Sequence, residues 1–214
     1  MIVEEHVKEY VDSLNPEEDE IIRGLLKEAH DNHVPIIRSD VRELLRFLIN
    51  LKKPMRVLEI GTAIGYSAIV MANVLPVGAV IDTIERNEAR YDRAVANVTN
   101  ANLNDTINIF FDDALDVLDT MDEDSYDMIF MDAAKGQYEE FYKKAMPLLK
   151  KDGIMVCDNI LQEGDIAWPI EVMTRRDHTV YGRMREFLKG LKNDENLVTS
   201  ILTIGDGVAL VKRK

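Results

Sequence analysis

The chain has 214 residues, of which 46% are hydrophobic and 30% are charged, a composition typical of a folded protein with a sizeable core. Its net charge of −13 argues against nucleic-acid binding over a broad surface. The apolar runs fall far short of the roughly 20 residues that a membrane-spanning helix needs. The first residues also lack the basic start and apolar stretch of a signal peptide. We therefore expect a cytoplasmic protein with no membrane contact.

The N-terminal quarter of the chain, residues 1–52, is predicted to form three helices. Residues 1–14 form the first. Asn15 is in position to cap the second, with Pro16 in its first turn and Glu18 completing a capping box. Ser39 is predicted to cap the third, in which apolar residues recur at helical spacing. We expect these helices to cover one side of a functional site in the remainder of the chain.

From Met55 onward, predicted strands and helices alternate. The strands lie near residues 55–60, 79–85, 106–111, 126–132, 153–158, 196–203 and 207–213, and the helices near residues 65–75, 87–101, 113–120, 137–149 and 170–192. Such alternation is typical of a parallel sheet with helices on both faces. The last two strands are separated by too few residues for a crossover, so they should pair as an antiparallel hairpin. We predict one domain, 1–214, comprising a helical cap (1–52) and an α/β core (53–214).

A glycine-rich turn follows the first predicted strand. Glu59 lies near the end of that strand, and Gly61 and Gly65 follow in the pattern E-x-G-x-x-x-G. Glycine allows a sharp bend and a close approach of the backbone to a ligand. A plain strand-to-helix turn is the alternative, since the pattern differs from the G-x-G-x-x-G of dinucleotide sites. Glu85 ends the next strand, where an acid can accept both ribose hydroxyls, so the two acids together favour a nucleoside cofactor.

Polar residues also follow two later strands, at the edge of the sheet where ligands of parallel sheets collect. Asp132 follows the strand near 126–131, and Asp158 and Asn159 follow the strand near 153–157. Oxygen ligands without thiolate or histidine suit Mg²⁺, which Mn²⁺ or Ca²⁺ could replace, although helix caps or loop acids remain the alternative. Lys135 lies three residues after Asp132 and is a candidate base or an ordinary surface lysine.

Two further features of the sequence, Asp113 and the basic C-terminal residues, each allow two interpretations. Asp113 either bounds an adenine pocket or caps the helix near 113–120. Residues 175–214 carry nine Lys or Arg against five Asp or Glu, a net charge of +4 on an otherwise acidic chain. The basic residues of the predicted last helix either meet phosphates or form a solvated helix face; they are Arg175, Arg176, Arg183, Arg185, Lys189 and Lys192.

These motifs resemble those of the cation-dependent O-methyltransferases of the catechol and caffeoyl-CoA type, which use S-adenosyl-L-methionine. The matching residues are 59–67, Glu85, 132–135 and 158–159, and the resemblance extends over nearly the whole chain. Within that family the chain resembles most closely the bacterial tRNA 5-hydroxyuridine methyltransferases, through residues 34–37, 66–69, 83–88 and 132–138.

The resemblance implies a Rossmann-like class I methyltransferase fold, an α/β architecture with a seven-stranded, mostly parallel sheet whose last strand is antiparallel. It implies that S-adenosyl-L-methionine is bound by Ile37, Glu59, Gly61, Ser67, Glu85, Asp113 and Asp132. It assigns Mg²⁺ to Asp132, Asp158 and Asn159, and the role of base to Lys135. Members of the family are commonly homodimers, with N-terminal helices in the interface.

Three functional hypotheses follow. The first is methylation of 5-hydroxyuridine in tRNA to 5-methoxyuridine, the second is methylation of small catechols or phenols, and the third is a nucleotide-binding module without catalysis. An intact set of Asp132, Lys135, Asp158 and Asn159 argues against the third. The basic C-terminal residues favour tRNA over a small phenol, which needs no such surface.

Overall fold

The computed structural model describes residues 4–133, 135–169 and 175–214, and the side chains of residues 5, 135, 163 and 175–178 lie outside that description. The helices are α1 (Glu5–Ser13), α2 (Glu20–Asp31), α3 (Ser39–Lys52), α4 (Tyr66–Ala72), α5 (Glu88–Asn100), α6 (Ala114–Leu118), α7 (Tyr138–Ala145) and α8 (Arg175–Asn193). The strands are β1 (Arg56–Ile60), β2 (Val80–Glu85), β3 (Ile107–Phe111), β4 (Tyr126–Met131), β5 (Leu149–Cys157), β6 (Leu197–Leu202) and β7 (Val208–Arg213). Within these described ranges, no helix has the length and apolar character that crossing a membrane requires.

The strands form one seven-stranded sheet in the order β3-β2-β1-β4-β5-β7-β6. β7 runs antiparallel to both β5 and β6, as predicted for the C-terminal hairpin, and the pairings among β1 to β5 are parallel. The strand order reverses between β1 and β4, whose ends lie level because Ile60 pairs with Met131. Such a reversal opens a crevice at the carboxyl ends of the strands, where ligands bind in open α/β sheets.

The central strands are apolar along their whole length because helices cover both faces of the sheet. In β4, Met128 and Phe130 belong to a core with α2, α3 and α4, whereas Ile129 and Met131 belong to a second core with α7 and α8. The helices α2 and α3 are therefore part of the layer that covers the sheet. Ile22 of α2, for example, is 0% exposed.

The start of α2 differs from its prediction. The capping residue is Asp19, whose carboxylate accepts a hydrogen bond from the first turn of the helix at 2.8 Å, and Asn15 lies outside the helix. Glu18, expected in that first turn, instead forms ion pairs with Arg42 at 3.1 Å and Arg46 at 2.7 Å in α3. Arg42 and Arg46 are distant from Glu18 in sequence, and their attraction for its carboxylate is stronger than the capping interaction predicted at the start of α2.

Other boundaries differ from their predictions by a few residues. Ser39 is the first residue of α3 and not its cap, since Arg38 occupies the N-cap position without a side-chain hydrogen bond. β5 begins at Leu149, earlier than the predicted 153. The predicted start of the last helix near 170 lies outside the described residues, and its described part ends at Asn193.

Candidate active site

The glycine turn after β1 is held against the end of β4. Gly61 has φ +104°, and a Cβ atom there would lie 2.3 Å from the backbone oxygen of Asp132. Gly65 has φ +85° and occupies the N-cap position of α4. Both values lie in the left-handed region that favours glycine. The predicted sharp turn is confirmed, and at Gly61 the close approach is to the protein's own backbone.

Glu85 ends β2 with a carboxylate that two backbone amides hold in place. One of its oxygens accepts from the N–H of Ala63 at 2.9 Å, and the other accepts from the N–H of Asn87 at 2.8 Å. The residue is 7% exposed. Because each carboxylate oxygen has more than one acceptor position, the group can still receive hydrogen bonds from a ligand hydroxyl pair.

The three residues predicted as metal ligands lie together. The N–H of Asp132 donates to the carbonyl of Ile60 at 3.0 Å, and the N–H of Asp158 donates to the carbonyl of Met131 at 2.9 Å, so the strand pairing continues past the strand ends. The amide of Asn159 donates to a carboxylate oxygen of Asp132 at 2.5 Å. Its backbone N–H donates to the carboxylate of Asp158 at 2.7 Å.

The electrostatics of this acidic cluster suit a divalent cation. Burial raises the pKa of Asp158 to about 8, and the negative charge of Asp132 contributes to the rise. A cation between the two carboxylates would remove this repulsion, and the available donors are the oxygens that Mg²⁺ prefers. No group of three His, Cys, Asp or Glu residues suited to a metal occurs among the described residues, so the cluster offers two carboxylates and one amide. Mg²⁺ commonly keeps several waters in such sites.

Two adjoining cavities lie over this edge of the sheet. The larger has a volume of about 510 Å³ and is lined by Asp132, Asp158 and Asn159, together with Ile37. The smaller has a volume of about 160 Å³ and reaches toward β3 and α6. The residues common to both walls are Gly61, Glu85, Arg90, Asp132 and Ala133. The two cavities can therefore hold one elongated ligand that passes Glu85.

Asp113 caps α6, as one of its two interpretations predicts, and its role beside adenine stays a prediction. Its carboxylate accepts from the N–H of Leu115 at 2.9 Å and so caps α6. It also lines the smaller cavity, where it forms an ion pair with Arg86 at 3.1 Å. The cap fixes the position of this carboxylate in the wall of the smaller cavity.

Glu59 and Ser67 lie beneath the turn and do not line either cavity. Glu59 is 0% exposed, and its carboxylate accepts a hydrogen bond from the Thr83 hydroxyl at 2.5 Å. Burial raises its pKa to about 7, against the opposing hydrogen bonds from the Ser67 and Thr83 hydroxyls. Direct contact of Glu59 and Ser67 with a cofactor stays a prediction.

Some predicted functional side chains lie outside the described part of the structure. These are the side chains of Lys135, Arg175 and Arg176. The backbone of Lys135 opens the 3₁₀ turn Lys135–Gln137, three residues after Asp132. Its proposed role as a base stays a prediction.

Of the four basic residues of α8 whose side chains are described, three use their charges in local contacts. The guanidinium of Arg185 donates to the carbonyl of Ile166 at 2.8 Å. Lys189 pairs with Glu186 at 2.7 Å, and Lys192 donates to a backbone carbonyl at 3.0 Å. This part of the helix therefore matches the solvated-face interpretation better than a dedicated phosphate-binding surface.

Arg38, Arg90 and Asp206 are among the cavity-wall residues that sequence reasoning missed. Arg38 and Asp206 line the larger cavity and form an ion pair at 2.7 Å, although they are far apart in the chain. Arg90, in the first turns of α5, lines both cavities. The only sequence signal for Asp206 was its place in the turn between β6 and β7, and nothing local marked the two arginines.

The strand order with an antiparallel β7, the glycine turn after β1 and the acid at the end of β2 define a class I methyltransferase fold. The O-methyltransferase family profile matches residues 12–214, so the chain belongs to that family. It is 30% identical over 212 residues to caffeoyl-CoA O-methyltransferase 2 of Populus trichocarpa, covering 94% of this chain and 85% of the relative.

Solved structures agree with this membership. A candidate caffeoyl-CoA O-methyltransferase from Staphylococcus aureus superimposes with a TM-score of 0.91 at 30% identity, covering 98% of this chain and 100% of that one. An O-methyltransferase from Bacillus cereus, solved in complex with SAH, superimposes with a TM-score of 0.85 at 26% identity, covering 98% of this chain and 97% of that one.

Proposed function

We propose that this protein is an S-adenosylmethionine-dependent O-methyltransferase for small acceptors with two adjacent oxygens, such as catechols and related phenols. The observation that carries the proposal is the acidic cluster of Asp132, Asp158 and Asn159, which opens into the same cavity as Glu85. A cofactor at Glu85 and an acceptor at the cluster would lie side by side. The SAH complex of the Bacillus cereus protein and the caffeoyl-CoA activity named for the poplar relative support this assignment.

The cofactor would lie across both cavities. Glu85, held by two backbone amides, accepts the ribose hydroxyls, and Asp113 bounds the adenine end in the smaller cavity. Ile37 contributes an apolar side chain to the wall of the larger cavity. S-adenosylmethionine supplies an electrophilic methyl group, and the protein contributes by holding the acceptor oxygen in line with it, the positioning that gives such reactions much of their acceleration.

The acceptor would bind over the acidic cluster. Asp132, Asp158 and Asn159 would hold Mg²⁺, which supplies Lewis-acid stabilisation of the acceptor's developing negative charge. Pro35 and Ile36 lie in the same cavity wall and offer apolar contact to a flat ring. Lys135 is the residue we propose as the base that takes the acceptor's proton.

A second candidate substrate is 5-hydroxyuridine in tRNA. Its 5-hydroxyl and 4-carbonyl present two adjacent oxygens with the same spacing as a catechol. The resemblance of several motifs to bacterial tRNA methyltransferases and the net charge of +4 over residues 175–214 support it. The local pairing of Arg185, Lys189 and Lys192 leaves fewer charges for phosphates, so we rank this candidate below the small phenols.

The test offers the purified protein S-adenosylmethionine, Mg²⁺ and either a panel of catechols and phenols or hypomodified tRNA, at equal acceptor concentrations. Mass spectrometry of the products should show methylated catechols. Methylation of the tRNA alone would establish the second candidate. Binding of SAH without methylation of any acceptor would favour a non-catalytic module.

Metal removal tests the acidic cluster separately. EDTA should abolish turnover, added Mg²⁺ should restore it, and Asp158→Ala should lose activity that added Mg²⁺ does not restore. Asp152→Ala is the matched control, because Asp152 is exposed and lies outside both cavities. Full turnover after verified metal depletion would exclude the metal-dependent mechanism.

A further inference from the structure

Asp206, in the turn between β6 and β7, fixes the segment that follows the acidic cluster. Its backbone carbonyl accepts hydrogen bonds from the N–H groups of Leu161 at 2.8 Å and Gln162 at 3.0 Å. These two residues follow closely in the chain after Asp158 and Asn159. The position of the turn therefore influences two of the three residues proposed as metal ligands.

The same turn is also held by the start of α3. The N–H of Gly205 donates to the carboxylate of Asp40 at 2.7 Å. A Cβ atom at Gly205 would lie 2.6 Å from a side-chain methyl group of Val41, so the turn and the helix are in tight contact. The carboxylate of Asp206 forms an ion pair with Arg38 at 2.7 Å. The turn thus connects the start of α3 to the residues that follow β5.

The Arg38–Asp206 ion pair lies in the wall of the larger cavity. The two side chains are 28% and 16% exposed, so solvent screens their attraction only partly. The Asp206 oxygen in this contact, Oδ1, is buried and accepts no hydrogen bond in the described part of the chain. Because burying a charge without a partner is unfavourable, the charge of Arg38 holds this carboxylate against the segment before α3.

That segment contributes an apolar part of the same cavity wall. Pro35 and Ile36, shortly before Arg38 in the chain, line the larger cavity together with Asp158 and Asn159. The ion pair therefore joins the surface proposed for the acceptor ring to the turn that fixes the metal-binding residues. It sets where the ring lies relative to the acidic cluster.

We propose that Arg38 and Asp206 form a positioning pair that determines which of the acceptor's two adjacent oxygens is methylated. This inference rests on the proposed function. A catechol can place either oxygen toward the methyl group of the cofactor. When the ring carries a substituent, the two orientations differ in where that substituent meets the cavity wall. The wall selects one orientation only while its position relative to the acidic cluster is fixed.

The test measures the ratio of the two monomethylated products of 4-methylcatechol by chromatography, at saturating S-adenosylmethionine and Mg²⁺. The methyl substituent is uncharged, so it forms no ion pair with Arg38. The variants are Arg38→Gln, Asp206→Asn, the double substitution and the conservative Arg38→Lys. Arg93→Gln is the matched control, because Arg93 pairs with Glu28 at 2.7 Å and lies outside both cavities. A product ratio does not depend on the amount of active protein.

The wild-type protein should favour one product, and Arg38→Gln and Asp206→Asn should each move the ratio toward equality by about two- to fivefold, as expected for a partly exposed ion pair. The double variant should shift the ratio no further than either single variant, because the two residues act through one contact. Arg38→Lys and Arg93→Gln should keep the wild-type ratio. Calorimetry should show unchanged SAH binding in every variant.

Equal amounts of the two products from the wild-type protein, or additive shifts in the double variant, would overturn the proposal. Slower turnover at an unchanged ratio would overturn it in favour of a purely structural role. A shift in Asp206→Asn alone, with a higher Mg²⁺ requirement, would overturn it and assign Asp206 to the metal site. If the wild-type protein methylates no catechol, the proposed function fails and this inference fails with it.

Discussion

At the scale of single residues, Gly61 ties the cofactor turn to the acidic cluster. A side chain at this position would be unfavourable for two reasons. The backbone has φ +104°, and the Cβ atom would lie 2.3 Å from the backbone oxygen of Asp132. Gly78 shows only the first of these effects, because it has φ +83° but no atom lies within 4 Å of the place that a Cβ would occupy. The two glycines therefore form a matched pair for mutation.

Gly61→Ala should lower the free energy of unfolding more than Gly78→Ala. Backbone strain alone costs about 1–3 kcal/mol, and only Gly61→Ala must also displace the end of β4. Urea unfolding measures both variants, and calorimetry with SAH should show weaker binding for Gly61→Ala alone. Equal losses of stability in the two variants would mean that the contact with Asp132 adds nothing.

Glu59 makes the stability of the protein depend on pH. Burial raises its pKa from 4.5 to about 7, so the folded state holds this proton more tightly than the unfolded state does. The stabilisation is complete below pH 4.5 and is lost as the pH rises through about 7. The full effect of such a shift is about 3 kcal/mol.

Glu59→Gln should remove this contribution, because the amide keeps a neutral hydrogen-bonding group at every pH. Urea unfolding between pH 5 and 8, in roughly unit steps chosen to span this range, should show a smaller decline in stability for the variant than for the wild type. Glu88→Gln, on the exposed start of α5, is the control. Parallel curves for Glu59→Gln and the wild type would show that Glu59 is ionised in the folded protein throughout.

At the scale of elements, Glu18 connects the segment before α2 to α3. Its side chain is 11% exposed and pairs with Arg42 and Arg46, whose side chains are 8% and 19% exposed. These low exposures mean that solvent screens the interactions only partly. The contact explains why the chain leaves the helical pattern here although the local sequence favours a helix.

Glu18→Gln should lower the free energy of unfolding by about 1.5–3 kcal/mol, the range for hydrogen bonds to charged groups. The neighbouring Glu17→Gln is the control, because Glu17 is exposed. Thermal and urea unfolding compare the two variants. A similar small effect of both would show that the arginines find other partners, such as Glu43, which pairs with each of them at 2.9 Å.

Most elements could be predicted from sequence because their signals are local. The apolar spacing of α3 and the alternation after Met55 indicated the order of the elements along the chain, and the short last connection indicated the antiparallel hairpin. The boundaries were less predictable. Asp19 caps α2 in place of Asn15, because Glu18 pairs with an arginine of α3. A capping pattern reports only neighbours in sequence, whereas the observed start also depends on a helix some twenty residues away.

At the scale of the whole molecule, α1 presents apolar side chains to the solvent. The exposed side chains on one face are Val7, Tyr10, Val11 and Leu14, with exposures of 42%, 67%, 48% and 65%. Their spacing of three and four residues puts them on one stripe of the helix. We propose that this stripe packs against a second copy of the chain in a homodimer.

Tyr10→Gln should shift the protein toward a monomer, because the apolar stripe loses its largest exposed ring. Sedimentation velocity over a range of concentrations measures the equilibrium. Glu9→Gln is the control, since Glu9 lies on the same helix away from the stripe. A monomeric wild-type protein at every concentration would refute the proposed dimer.

The candidate site likewise contains residues that the sequence identified and residues that only the tertiary structure brought together. Gly61, Glu85, Asp132, Asp158 and Asn159 were identifiable from sequence because each lies at the end of a predicted strand. Parallel strands bring their carboxyl ends to one edge, so the order of elements alone places these residues together.

The other charged residues of the two cavity walls could be identified only from the tertiary structure. Arg38 pairs with Asp206 at 2.7 Å in the wall of the larger cavity, and no sequence periodicity links positions so far apart. The charge of Arg86 is likewise set by a tertiary contact, because its guanidinium pairs with the carboxylate of Asp113 at 3.1 Å. Sequence by itself determined which chemical groups reach this edge of the sheet. Packing decided which of their charges remain for a ligand, because ion pairing is set by distances between elements that are not neighbours in the chain.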